Sequence, residues 1–201
     1  TLTHNGVISG LGTLLKFGDG TLVLNGANTF AGSTQIVAGT VQISDDSNLG
    51  QAGVLVGFHG GALRTTDSMT LTRQLAMTSG DGGTLDVASG TTLTHNGLVS
   101  GSRSLTKTGT GTLVLSGAAN THRGTVVNEG VLSIFNDNQL GNTAFALTLD
   151  GGTLRNTNTQ LTSTRNIVLG ANGGIIETGA GTALVHNGGV SGTGFLTLAG
   201  G

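Results

Sequence analysis

Residues 107–134 read KTGTGTLVLSGAANTHRGTVVNEGVLSI, and residues 16–43 read KFGDGTLVLNGANTFAGSTQIVAGTVQI. The two stretches lie 91 residues apart. The same displacement runs through the chain. TLTHNG at Thr1 returns as TLTHNG at Thr92 and as ALVHNG at Ala183, and GGALR at Gly60 returns as GGTLR at Gly151. A repeat of this length governs the whole fold, so it comes before any local reading. The expected organisation is one unit over residues 1–201, built from a 91-residue super-repeat covering 1–91, 92–182 and a partial copy at 183–201. Because the chain starts and stops inside repeats, it reads as a fragment of a longer rod.

Each copy carries a smaller pulse, a Gly or small residue followed by Thr and alternating aliphatic residues. It begins at Thr21, Thr40, Ala62 and Thr84, and again at Thr112, Val131, Thr153 and Ile175, with spacings of 19, 22 and 22 inside each copy. Short alternating runs bracketed by Gly, Asn or Ser are strands. A strand that buries one face cannot fold alone, but copies stacked at a fixed pitch bury a continuous column. The leucine-rich register is absent, and no window of helical length has apolar residues at 3.6 spacing. The spacing predicts an all-β parallel β-helix (β-solenoid) of about nine turns, with about 22 residues and two or three strands per turn. At about 4.8 Å per turn the rod would be roughly 43 Å long.

Composition supports an ordered rod. There are 38 Gly to make turns and no Pro to interrupt ladders, while charged residues are few and 36% of the chain is apolar. A net charge of −2 with eight scattered basic residues speaks against nucleic acid as a partner. No apolar run is long enough to cross a membrane as a helix. The absence of Cys is compatible with any compartment.

The pattern of lysine, glycines and the strand TLVL followed by SGANTF-like residues resembles the autotransporter-associated β-strand repeat of type V secreted passenger domains. The match runs over residues 16–41 and 107–132, where Ala119 is inserted and His122 replaces an aromatic residue. The resemblance implies a right-handed parallel β-helix. It also implies export through a separate outer-membrane barrel and display on the surface of a Gram-negative cell. Such passengers include adhesins and self-associating proteins as well as enzymes, whose chemistry usually sits in a separate or inserted domain.

The search for chemistry returns little. Nucleophile-elbow, zincin and Walker patterns are absent. His4, His95 and His186 recur in the H-N-G motif, but about four turns separate them, roughly 19 Å along the rod, too far to share one ion. They are expected to end strands at Asn-Gly turns. No metal, cofactor or catalytic residue is expected. The expected role is a non-enzymatic surface rod for adhesion or cell–cell self-association, with a second copy or a host-surface protein or glycan as partner. The alternatives are an inert stalk presenting an effector domain outside the fragment and a polysaccharide-acting β-helix enzyme. The polar turns offer candidate contact residues: Asp45, Asp46 and Asn48 in the first copy, and Asn136, Asp137 and Asn138 in the second.

Alternation assigns Leu22, Leu24, Val41, Ile43, Leu63, Leu85 and Val87 to the core, with Leu113, Leu115, Leu132, Ile134, Leu154 and Ile176 as counterparts. The residues between them stack outward as Val23, Gln42, Arg64 and Asp86, and as Val114, Ser133, Arg155 and Glu177, so both copies place an Arg one turn before an acid. Unpaired ladder edges at the two ends should promote association. Sedimentation over a range of concentrations checks this, with species larger than the monomer as the expected outcome.

Overall fold

The computed structural model describes residues 1–117 and 119–200. Its strands are three to five residues long, as expected where Gly and Asn bracket short aliphatic runs. Thr112–Leu115 shows how one forms. Leu113 and Leu115 turn inward and are fully or almost fully buried, while Thr112 and Val114 point outward. Gly130 sits at the corner before the next strand with φ 64°, and a Cβ there would come 2.4 Å from the Gly111 carbonyl of the previous turn. Positive φ and close stacking together leave room for no side chain.

Every paired strand is parallel to its neighbours, and the strands form three faces. The first is a ten-stranded sheet running from Leu2–His4 to Val190–Gly192. The second is a seven-stranded sheet running from Met69–Leu71 to Leu196–Gly200. The third carries the five-stranded sheet from Leu14–Lys16 to Val99–Gly101. The chain visits them in a fixed cycle, for example Leu75–Met77 on the third face, Gly83–Val87 on the first and Thr92–His95 on the second. The two-stranded sheet of Leu161–Ser163 and Leu184–His186 takes the third-face place in that cycle. Two 3-10 turns fill places where no strand forms: Asp46–Leu49 on the second face and Asp137–Leu140 on the third. Ten rungs of the first face make a β-solenoid of about nine turns.

The 91-residue period does not contain a whole number of turns. The first-face rungs begin between Leu2 and Val190, nine steps in 188 residues, or about 21 residues per turn. The period therefore spans about four and one-third turns. Equivalent strands land on successive faces: Leu2–His4 on the first, Thr92–His95 on the second and Leu184–His186 on the third. Thr21–Leu24 on the first face likewise corresponds to Thr112–Leu115 on the second. The expectation of about four turns is corrected by that remaining third. The three H-N-G histidines are separated by direction as well as by height.

The core follows the alternation. Twelve of the thirteen expected inward residues are buried in one continuous cluster. Leu22 is only partly buried, because its neighbour Leu2 is itself 67% exposed. The outward columns also form in the expected register: Val23, Gln42, Arg64 and Asp86 on the first face, Val114, Ser133, Arg155 and Glu177 on the second. Arg64 lies 3.6 Å from Asp86 and Arg155 lies 3.0 Å from Glu177. These pairs are partly exposed, so each is worth only about 0–1 kcal/mol. The core carries the stability. Leu113 lies in the middle of its column, and Leu113→Ala is expected to destabilise the rod by about 2–5 kcal/mol, read as a lowered denaturation midpoint.

Candidate functional site

The polar groups of the molecule concentrate at the corners, where the chain leaves one face for the next. After strand Thr40–Ile43 the chain enters the 3-10 turn Asp46–Leu49. Asp45 caps it, accepting from the Ser47 backbone N–H at 2.9 Å. The Ser47 hydroxyl and backbone N–H hold the Asp45 carboxyl below its ordinary pKa. Asn48 turns inward and is 3% exposed. Its Oδ1 accepts from the Ser44 and Asp45 backbone N–H groups, and its Nδ2 donates to the Gly26 carbonyl one turn away at 3.0 Å. In the second copy Gln139 does the same work: its Oε1 accepts from the Phe135 and Asn136 N–H groups and its Nε2 donates to Gly117.

Each turn rests on a buried arginine from the following rung. Arg73 is 1% exposed, and its Nε donates to Asp46 Oδ1 at 2.6 Å. Its remaining donors go to Asp46 Oδ2 and to the backbone carbonyls of Asp46, Leu49, Gly50 and Gln51. Arg165 repeats the arrangement with Asp137 and the carbonyls of Asp137, Gly141, Asn142 and Phe145. A planar fork of five N–H donors suits the unsatisfied carbonyls where a helical turn ends. The next rung then caps the arginine's own backbone: His95 Nε2 donates to the Arg73 carbonyl at 3.0 Å, and His186 Nε2 to the Arg165 carbonyl at 2.8 Å.

Buried lysines close another set of corners. Lys107 occupies an inward strand position beside Leu85 and Val127, and its Nζ donates to the carbonyls of Thr108, Gly109 and Glu129. Lys16 does the same with Phe17, Gly18 and Ala38. Burial pushes the Lys107 ammonium down to about 8, against the opposing pull of Asp86 and Glu129. The recurrent lysine followed by glycines is thus a corner staple, and the glycines keep Cβ atoms away from it. A Cβ on Gly39 would meet Lys16 Nζ at 2.6 Å.

The expected contact residues therefore divide. Asp45, Asn136 and Asn138 are exposed. Asp46 and Asp137 are engaged by Arg73 and Arg165. Asn48 is corrected: it is buried and spends its amide on the turn's own backbone, so it cannot meet a partner. The two 3-10 turns also lie on different faces. Arg73 and Arg165 were not singled out from the sequence. Their spacing is 92 rather than 91, which hides them from a strict repeat, although LTR at Leu71 and STR at Ser163 carry the signal. An apolar cleft lined by Ile176, Leu184, Val190, Leu196 and Leu198 is the open side of the core at the last turn.

The passenger-associated-transport-repeat family matches residues 10–43 and 105–134. These contain both lysine staples, both TLVL strands, and the buried Asn28 and Asn120, whose Nδ2 groups donate to the Asn48 and Gln139 carbonyls. Over 118 residues, 58% of its length, the chain is 43% identical to the adhesin BmaC autotransporter of Brucella suis biovar 1 (strain 1330). The aligned part is 3% of that protein. No solved structure matches the chain.

Arg73→Ala would leave the Asp46 carboxylate and four carbonyls without their donor, with an expected loss of about 3–5 kcal/mol. Chemical denaturation measures it. Arg73→Lys is expected to recover little, because an ammonium cannot reproduce the fork.

Proposed function

We propose that this chain, an autotransporter passenger segment with passenger-associated-transport repeats, is part of a non-enzymatic adhesive rod displayed on the cell surface. The observation that carries the proposal is the 43% identity to a protein named as an adhesin, combined with a fold that is periodic along its whole length. Buried polar groups are used to close corners, which leaves the outward columns and turns as the surface through which the rod acts. The segment is read as one β-helical stretch of a longer passenger built on the 91-residue period, with a separate barrel supplying the outer-membrane anchor.

The mode of adhesion we favour is association with a second copy or with host-surface protein or glycan through many weak contacts. Outward Thr, Asn and Ser recur at the strand spacing, and regular repetition converts small individual affinities into avidity. Low net charge limits repulsion between like surfaces. Asp45, Asn136 and Asn138 remain the proposed contact residues, since their side chains face solvent and the rod does not need all of their hydrogen-bonding capacity.

Beads coated with the chain, followed by light scattering, test this reading. Wild-type beads are expected to clump or to bind cell surfaces. The combined variant D45A, N136A and N138A should do so several-fold less while keeping its unfolding free energy within about 1–2 kcal/mol of wild type, the cost of losing a cap. Coated beads that stay dispersed and bind no cell surface would instead support a stalk.

A further inference from the structure

Two buried histidines in the middle of the rod are not accounted for by adhesion. His95 ends strand Thr92–His95 on the second face, and His122 lies at the third-face place one turn beyond strand Val99–Gly101, just before strand Thr125–Val127. Both are completely buried. Their hydrogen bonds fix their tautomers. His95 Nε2 faces the Arg73 carbonyl, which can only accept, so this nitrogen carries the proton. His122 Nε2 lies 2.9 Å from the Thr125 hydroxyl, whose own hydrogen goes to the Leu140 carbonyl at 3.0 Å, so again Nε2–H is the donor. In both rings the other nitrogen, Nδ1, is buried and without a hydrogen-bond partner.

A second proton on either ring would therefore place a charged N–H inside a packed core, where the acceptor near His122, the Val99 carbonyl, would have to be shared. The Val99 carbonyl near His122 already accepts from the Thr121 N–H. The charged groups around the pair oppose protonation as well. The positive charges of Arg165, held by Asp137, and of a protonated His95 both lower the affinity of His122 for a proton. Arg73, held by Asp46, lies against His95 through its backbone.

We propose that His95 and His122 form an acid-sensitive joint at the meeting of the two 91-residue copies. Near neutral pH both rings are neutral and the rod is continuous. Acidification protonates them, and the stretch from strand Thr92–His95 to strand Thr125–Val127 opens before the rest of the column. The position equivalent to His122 in the first copy is Phe30, equally buried and unable to titrate, so the first copy lacks this half of the device.

The sign follows from linkage. Burial holds His122 at about 4 against 6.5 for a free imidazole, and it lowers His95 in the same direction. The unfolded chain then binds protons more readily than the folded one between those values, so stability is full above about 6.5 and falls as pH drops towards 4. From His122 alone the opening constant should be about 20-fold larger at pH 5 than at pH 7.

Amide hydrogen exchange from pH 7 to pH 5, corrected for intrinsic rates, tests the proposal on the whole chain. Wild type is expected to lose protection at Thr92–His95, Val99–Gly101 and Thr125–Val127 by at least tenfold more than at Thr40–Ile43. His122→Phe rebuilds the Phe30 arrangement and should flatten most of that difference, whereas carboxylate effects would persist in it. An unchanged pH slope in His122→Phe would overturn the proposal. Should that variant fail to fold, NMR titration of the wild-type rings decides: resonances of neutral Nε2–H imidazoles down to pH 5.5 support the joint, and protonation at pH 6.5 or above in the folded rod overturns it.

Discussion

The corners are the constraint on which the rest depends. Strands in a parallel stack satisfy their own backbone, but every turn of the coil must bend twice or three times, and each bend leaves carbonyls and N–H groups beside an apolar column. Left unpaired, each would cost about 1–3 kcal/mol. The molecule meets the demand with a small set of buried polar side chains: Lys16 and Lys107 on triplets of carbonyls, Arg73 and Arg165 under the 3-10 turns, and Asn28, Asn48, Asn120 and Gln139 linking one rung to the next. Because most of these bonds cross from one turn to the following one, they set vertical order as well as satisfying the bend. The aliphatic column supplies the driving force, and the corner groups decide which rung sits on which.

This division explains what could be read in advance. Alternation and repeat spacing are local, so the inward leucines, the outward columns and the rung neighbours of Arg64 and Asp86 were legible from residues alone. The corner chemistry was not. The cage around Lys107 is completed by the carbonyl of Glu129, 22 residues away, and a lysine in a strand ordinarily signals an exposed position. Asn48 looked like a solvated turn residue because Asp-Asp-Ser-Asn is polar throughout, and only the fold reveals that one of the four faces inward. The remaining third of a turn in the period was hidden for a related reason. The pulse recurs about once per turn, and its spacing alone does not register which of three faces a copy begins on.

Charge is used differently inside and outside. The buried arginines meet carboxylates that keep part of their surface in solvent, with Asp46 28% and Asp137 16% exposed, so the ion pairs are not fully stripped of water. Their worth lies in positioning. On the outer faces, Arg64–Asp86 and Arg155–Glu177 are weak pairs that penalise slippage, because a shift by one residue would drive all four charges into the core.

The extra third of a turn has a geometric consequence for any longer stretch on the same period. Three periods, about thirteen turns, bring a feature back to the face on which it began, so its copies wind around the axis as the thread winds around a screw. A fibre of this kind has no front or back. A surface approached from any direction presents the same texture after a short slide along the length.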